Sequence, residues 1–253
     1  MAIWLQSILP KCNFRNMKTR IAIFYFLFAL ISQSHAQHYQ HFTSWNRIGV
    51  AKVFNPNWEL WVEGFFRQQN NFHVDKNNPF TSPLMRAGRI FVFYKKNHTV
   101  LGLSPMMYIH SHQLLGKEAD FSVKSNQEYR SNVFVEQWKD FGKINLRFRL
   151  SYELRYLQNL NYVPVGRFRP RLTAKYSITK TLWVIAHEDL MLNIAPNTQA
   201  SVFNINQAYL GFNQRLSKNI DVEIGYFNNF RKRNSLVEFD NENALNLMLQ
   251  VKF

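Results

Sequence analysis

The sequence predicts an all-β protein: a transmembrane up-and-down antiparallel β-barrel of about 10 to 12 strands, behind an N-terminal signal peptide. Apolar residues recur at every second position over segments of about ten residues or more, the length a tilted strand needs to cross a bilayer. Short and long connections alternate between those segments, as periplasmic turns and extracellular loops do in outer-membrane barrels. The final segment is apolar at alternate positions and ends on Phe253.

Composition supports one barrel domain over residues 37–253. The chain has 253 residues with no Pro/Gly/Ser-rich tract dividing it, and it is 16% aromatic at a mean hydropathy of only -0.30. Its apolar content is therefore spread along the chain rather than gathered in blocks. The one long apolar block, Ile21 to Ile31, falls short of the roughly 20 residues a membrane-spanning helix needs. Lys18 and Arg20 precede it and Ser34-His35-Ala36 follows, so residues 1–36 read as a secretory signal peptide cleaved after Ala36. Met17 opens such a peptide by itself, which makes it the expected true start. The only cysteine, Cys12, lies upstream of Met17 and is preceded by Pro10 and Lys11, not by the small residues of a lipoprotein signal. A cysteine-free domain excludes disulfides, thiolate metal sites and a cysteine nucleophile, and it suits export through an oxidising periplasm.

Taken in order, the segments fall near 42–54, 58–70, 84–96, 99–112, 126–138, 143–156, 167–178, 182–193, 203–216, 219–231 and 243–253. In the second, Trp58, Leu60, Val62 and Phe66 oppose Glu59, Glu63 and Arg67. The sixth has the cleanest pattern: Ile144, Leu146, Phe148, Leu150, Tyr152, Leu154 and Tyr156 oppose Asn145, Arg147, Arg149, Ser151, Glu153 and Arg155. A helix is excluded there, because at about 100° per residue those two sets would scatter around the circumference. A soluble sandwich also alternates, but its strands average about five or six residues. The seventh sets Phe168, Leu172, Ala174 and Tyr176 against Arg167, Arg169, Arg171 and Lys175, with Pro170 tolerable near a strand end. In the tenth, Ile220, Val222, Ile224 and Tyr226 face away from Asp221 and Glu223. Short connections fall near Asn55-Pro56-Asn57, Asn97-His98, Asp140-Phe141-Gly142, Thr179-Lys180 and Lys218-Asn219, and long ones near 71–83, 113–125, 157–166, 194–202 and 232–242. Eleven segments conflict with the even strand number of single-chain bacterial barrels. Ten remain if the first lies inside the lumen; twelve result if a short strand near His38 to Ser44 is added.

Leu245-Asn246-Leu247-Met248-Leu249-Gln250-Val251-Lys252-Phe253 resembles the signal read by the outer-membrane assembly machinery. Trp58-Glu59-Leu60-Trp61-Val62-Glu63, the strand Arg147 to Tyr156, and Ala208-Tyr209-Leu210-Gly211-Phe212 leading into Glu223-Ile224-Gly225-Tyr226 give the wider chain a resemblance to the domain of unknown function 2490 family of Bacteroidota-type outer-membrane proteins. That resemblance implies a barrel fold over most of residues 40–253. It implies no activity and no catalytic residues.

The whole chain carries a formal charge of +15; residues 1–36 hold four of its cations and no acid, which leaves +11 for residues 37–253. Nucleic acid is the usual partner of such charge, but a secreted chain does not meet it. The expected partners are the lipid bilayer and lipopolysaccharide, the assembly machinery, and an anionic solute, with the barrel a monomer in the bacterial outer membrane. The inward rows hold Arg67, Arg130, Arg147, Arg149, Arg155, Arg167, Arg169, Arg171 and Arg215 against Glu63, Glu128, Glu153, Asp221 and Glu223. Either these residues pair across strands and plug a narrow lumen, or the excess of arginine lines a wet, anion-preferring passage. His110-Ser111-His112 with Asn126 and Glu128 invites comparison with outer-membrane lipid hydrolases. Adjacent strand residues, however, face opposite sides, so no enzyme is expected. His110 and His112 share a face but read as solvated, and no metal or cofactor is expected. His187-Glu188-Asp189 reads as a solvated strand end or a bond network at the mouth. Trp45, Trp58, Trp138, Trp183, Phe230 and Phe253 read as interfacial girdles.

Overall fold

A computed structural model describes residues 37–196, 201–233 and 235–253; the expected signal peptide, with Met17 and Cys12, lies outside the described residues. Eleven strands follow one another: β1 (Gln37–Val53), β2 (Trp58–Gln69), β3 (Ser82–Lys96), β4 (Thr99–Ser111), β5 (Asn126–Phe141), β6 (Ile144–Leu157), β7 (Pro164–Ser177), β8 (Leu182–Ile194), β9 (Phe203–Arg215), β10 (Ile220–Lys232) and β11 (Glu238–Lys252). They form a closed barrel in sequence order. Single 3-10 turns, Glu118–Ser122 and Gln158–Leu160, sit in the β4–β5 and β6–β7 connections.

The expectation of about 10 to 12 strands holds, and the expectation of an even, wholly antiparallel barrel does not. Every sequential pair is antiparallel, but β1 and β11 pair in parallel, from Gln37 opposite Glu238 to Ala51 opposite Lys252. The geometry leaves no alternative. In an up-and-down meander of odd number the first and last strands point the same way, so the closing ladder must be parallel. The stretch His38 to Ser44 is the start of β1 and not a separate strand, and β1 belongs to the wall rather than the lumen.

Closure puts Phe253 at the end that carries the short turns, where its backbone exchanges hydrogen bonds of 2.9 Å with Ala51 and Val53. The long connections and the start of β1 lie at the other end. At the short turns, Gly142 takes a φ of +62°, the left-handed conformation that a two-residue hairpin demands and glycine adopts without a Cβ penalty.

β1 and β11 each run five residues farther toward the long-loop end than their alternation predicts. There the outward residues turn polar: Asn228 Nδ2 donates to Asn241 Oδ1 at 2.7 Å and Asn241 Nδ2 to Gln40 Oε1 at 3.1 Å. The backbone ladder continues while the apolar/polar contrast that reveals it stops. Toward the short turns the outer face is a belt of exposed apolar side chains, among them Val62, Phe148, Leu172, Leu210, Ile224 and Leu247. Among the described residues, buried apolar side chains form two separate clusters on the inside of the wall.

Candidate functional site: an arginine-lined lumen

Period-two alternation sends all of Glu63, Arg67, Arg130, Arg147, Arg149, Glu153, Arg155, Arg167, Arg169, Arg171 and Glu223 to the inner face. Four carboxylates of β5, β6 and β8 there each hold two or three guanidinium groups. Glu128 takes Arg130 Nε at 2.8 Å and Arg155 Nε at 2.7 Å. Glu153 accepts Arg167 Nε at 2.7 Å and Arg169 Nη1 at 2.6 Å. Asp189 lies between Arg169 and Arg171, the latter at 2.6 Å. Glu136 takes Arg149 Nε at 2.8 Å and Arg147 Nη1 at 3.2 Å. Apart from Arg130 and Glu128, two residues apart on β5, the partners lie on different strands, so the register of β5 to β8 assembles the network. Arg215 pairs with Asp221 at 3.2 Å near the short turns.

Several groups at this face escaped the sequence reading. Arg89 binds Glu63 at 2.8 Å through Nε, with Arg47 at 3.7 Å. Glu242 accepts Thr43 Oγ1 at 2.8 Å, Trp45 Nε1 at 2.7 Å and Asn229 Nδ2 at 3.2 Å. Glu136 sits at a position whose alternation counts as polar, and phase alone could have found it; Arg89 shares its face with Met85, Ala87, Phe91 and Phe93, and Glu242 precedes the segment that alternation marks. The inward aromatics could not be found that way. Phe65, Phe91 and Phe134 are buried, with Trp61, Phe93 and Trp138 packed beside the last two.

Three of the expected girdle residues are corrected by the same phase. Trp45 is 8% exposed and bonded to Glu242; Trp138 packs in the inner aromatic cluster beneath Arg147; Trp183 lies on the inner side near Arg215. Trp58, Phe230 and Phe253 stay on the outside. His187-Glu188-Asp189 is not a solvated strand end, because β8 continues to Ile194. His187 and Asp189 point inward, with Asp189 fully buried, while Glu188 is exposed on the outer face.

The inner side chains line the wall without filling it. A cavity of about 1350 Å³ opens among the long loops and descends to Arg149, Arg171, His187 and Glu223. Its lining carries fourteen Arg and Lys and six Asp and Glu. Glu63, Glu136, Asp189 and Glu242, set behind lining arginines, still leave the cations in excess. Trp61, Phe93, Trp138 and the Arg147–Glu136 pair, nearer the short turns, are not among its lining residues. At the mouth the β4–β5 loop is tied to the opposite rim. Arg233 grips Asp120 through Nη1 and Nη2 at 2.9–3.1 Å, and Lys117 Nζ reaches Glu238 at 2.6 Å. The hydrogen bond that it donates to the Glu238 carboxylate holds the Lys117 ammonium above the usual lysine range.

The histidine–serine cluster does not assemble. Ser111 lies on the inner face opposite Asn126, and His110 points outward opposite Arg86 and Gln127. His110 and His112 stack edge-to-face at 5.1 Å on the outer rim.

The family described as "Protein of unknown function (DUF2490)" matches residues 42–240, a stretch from β1 into β11. The chain belongs to the DUF2490 family. No curated protein matches the sequence. Among solved structures, this DUF2490 barrel is similar to "Outer-membrane expressed OmpT of Vibrio cholerae" at 9% identity and TM-score 0.37, covering 74% of this chain and 60% of that one. It is also similar to "Anion-selective porin from Comamonas acidovorans" at 11% identity and TM-score 0.33, covering 75% and 55%. The chain therefore spans somewhat over half the length of either structure.

Proposed function

We propose that this DUF2490 chain is an integral outer-membrane barrel, of the Bacteroidota type, whose basic lumen accepts small anionic solutes from the long-loop side. One observation carries the reading: a cavity of about 1350 Å³ open at that end, with cations in excess along its wall. Rings of arginine are how pores select anions, and unpaired buried cations are too costly to retain without water or a counter-ion. The closed wall with its apolar outer belt supports the membrane setting, since a sheet without edges satisfies its backbone in lipid. On this reading the belt meets lipid and lipopolysaccharide, Phe253 is the mark read by the assembly machinery, and a monomer is complete. On this reading no chemistry falls to Ser111, because His110 beside it points to the opposite face.

Planar-bilayer recording of the purified full chain in a salt gradient tests the proposal. Small anion-selective steps that weaken or reverse in Arg149→Glu and Arg171→Glu are expected; cation selectivity in the unaltered protein would reject it. The aromatic residues below the cavity favour one second reading, a blind binding vestibule. That reading predicts insertion and anion binding without conductance.

A further inference from the structure

The two sides of the cavity are not equivalent. On the β5–β8 side each arginine is held by a carboxylate at hydrogen-bonding distance. On the side made by β1, β2 and β10, three arginines are held weakly or not at all. The Arg67 side chain has no ion pair or hydrogen bond among the described residues and sits over the Trp45 ring, its Cζ 3.4 Å from the centroid. Arg47 and Arg231 approach carboxylates only at 3.7 and 3.6 Å, and the Nε of each is buried without a partner.

Aromatic rings occupy the same wall. Phe227 packs 4.7 Å from Trp45, 4.4 Å from Tyr209 and 5.6 Å from His187. The His187 Nε2 is also buried without a partner, and Arg47 is an electrostatic neighbour of both His187 and Tyr209. Trp45, Phe227, His187 and all three arginines line the cavity. Free donors beside ring faces suit a ligand with two properties at once. It needs an oxyanion for the guanidinium forks and a flat or ring-shaped body to stack on the aromatics.

We propose that this wall binds a carboxylate borne on a ring, an aromatic acid or a uronic sugar, with Arg47, Arg67 and Arg231 taking the carboxylate and Phe227 and His187 the ring. The inference rests on the anion-accepting lumen proposed above and narrows its ligand class. The test is calorimetric titration of the full chain in detergent with benzoate, galacturonate, acetate and inorganic phosphate. At least one ring-borne carboxylate is expected to bind ten-fold or more tighter than acetate and phosphate. Arg67→Gln should weaken it at least ten-fold, and Phe227→Val should abolish the preference for the ring while leaving acetate unchanged. The relative affinities of benzoate and galacturonate decide between the two sources. Equal binding of all four probes, still sensitive to Arg67→Gln, would overturn the ring preference and keep the anion-accepting lumen. Binding indifferent to Arg67→Gln and to Arg231→Gln, in variants that retain heat-modifiable electrophoretic mobility, would overturn this site. Absence of any anion binding would overturn both readings.

Discussion

Asp189 shows what a single residue does in this wall. Its carboxylate is fully buried and sits between Arg169 and Arg171, so removing its charge strips Arg171 of its counter-ion and leaves Arg169 with Glu153 alone. Breaking a buried pair by deleting one partner costs about 3–5 kcal/mol. We expect Asp189→Asn to lower the unfolding free energy of the lipid-reconstituted barrel by about that much in urea titration. A loss below about 1 kcal/mol would mean that water already screens the pair. Tyr209 is a second case. Its ring lies over Gly211 and Gly225, where a Cβ on either glycine would overlap the ring, and its hydroxyl donates to Glu223 at 2.8 Å. This explains why the two glycines face each other across β9 and β10. Gly225→Val should expel the ring and abolish the heat-modifiable folded band on electrophoresis.

Among the elements, the seam between β1 and β11 sets the strand number. A parallel pair places opposed Cα atoms about 4.8 Å apart, within disulfide range, and residues 37–253 hold no competing cysteine. Ile48 and Leu249 are opposed and both point outward. Ile48→Cys with Leu249→Cys should cross-link on oxidation, whereas Ile48→Cys with Leu245→Cys, four residues out of register, should not. The β4–β5 loop is the second element with a consequence. Asp120 accepts both Arg233 and the backbone N–H groups of Gly116 and Lys117 at 2.8–2.9 Å, so one carboxylate folds the loop and fastens it to the far rim. Asp120→Asn weakens both ties. Trypsin cleavage after Lys117 or Lys124 in the folded barrel should accelerate several-fold, while the strands stay protected.

At the scale of the whole molecule, the chain separates an apolar outside from a charged inside, and the two respond oppositely to the same substitution. Leu247→Arg places a cation on the outer belt, where it costs about 2–4 kcal/mol near a bilayer midplane. Arg149→Leu removes one from the inner wall. We expect Leu247→Arg to block recovery of folded protein from membranes and Arg149→Leu to permit it. Equal tolerance of both would remove the membrane setting proposed for the belt.

Alternation by itself determined the architecture: where strands lie, which side each residue takes, and therefore that charge collects inside a barrel. It could do so because a strand with one face in apolar surroundings must repeat at every second residue. The same signal failed wherever the contrast it depends on disappears. It stopped short of Gln37 and Glu238, where both faces of β1 and β11 are polar. Trp45, Trp138 and Trp183 fail for another reason: aromatic character suggests lipid contact, whereas their phase sets these rings on the inner wall. Local pattern carries no information on which side chains meet across strands, so the carboxylates shared by the arginines of β5 to β8 were decided by the register of those strands, and the parallel seam and the loosely held trio of Arg47, Arg67 and Arg231 by closure. Closure brings β1 beside β11 and sets which charges meet and which are left free.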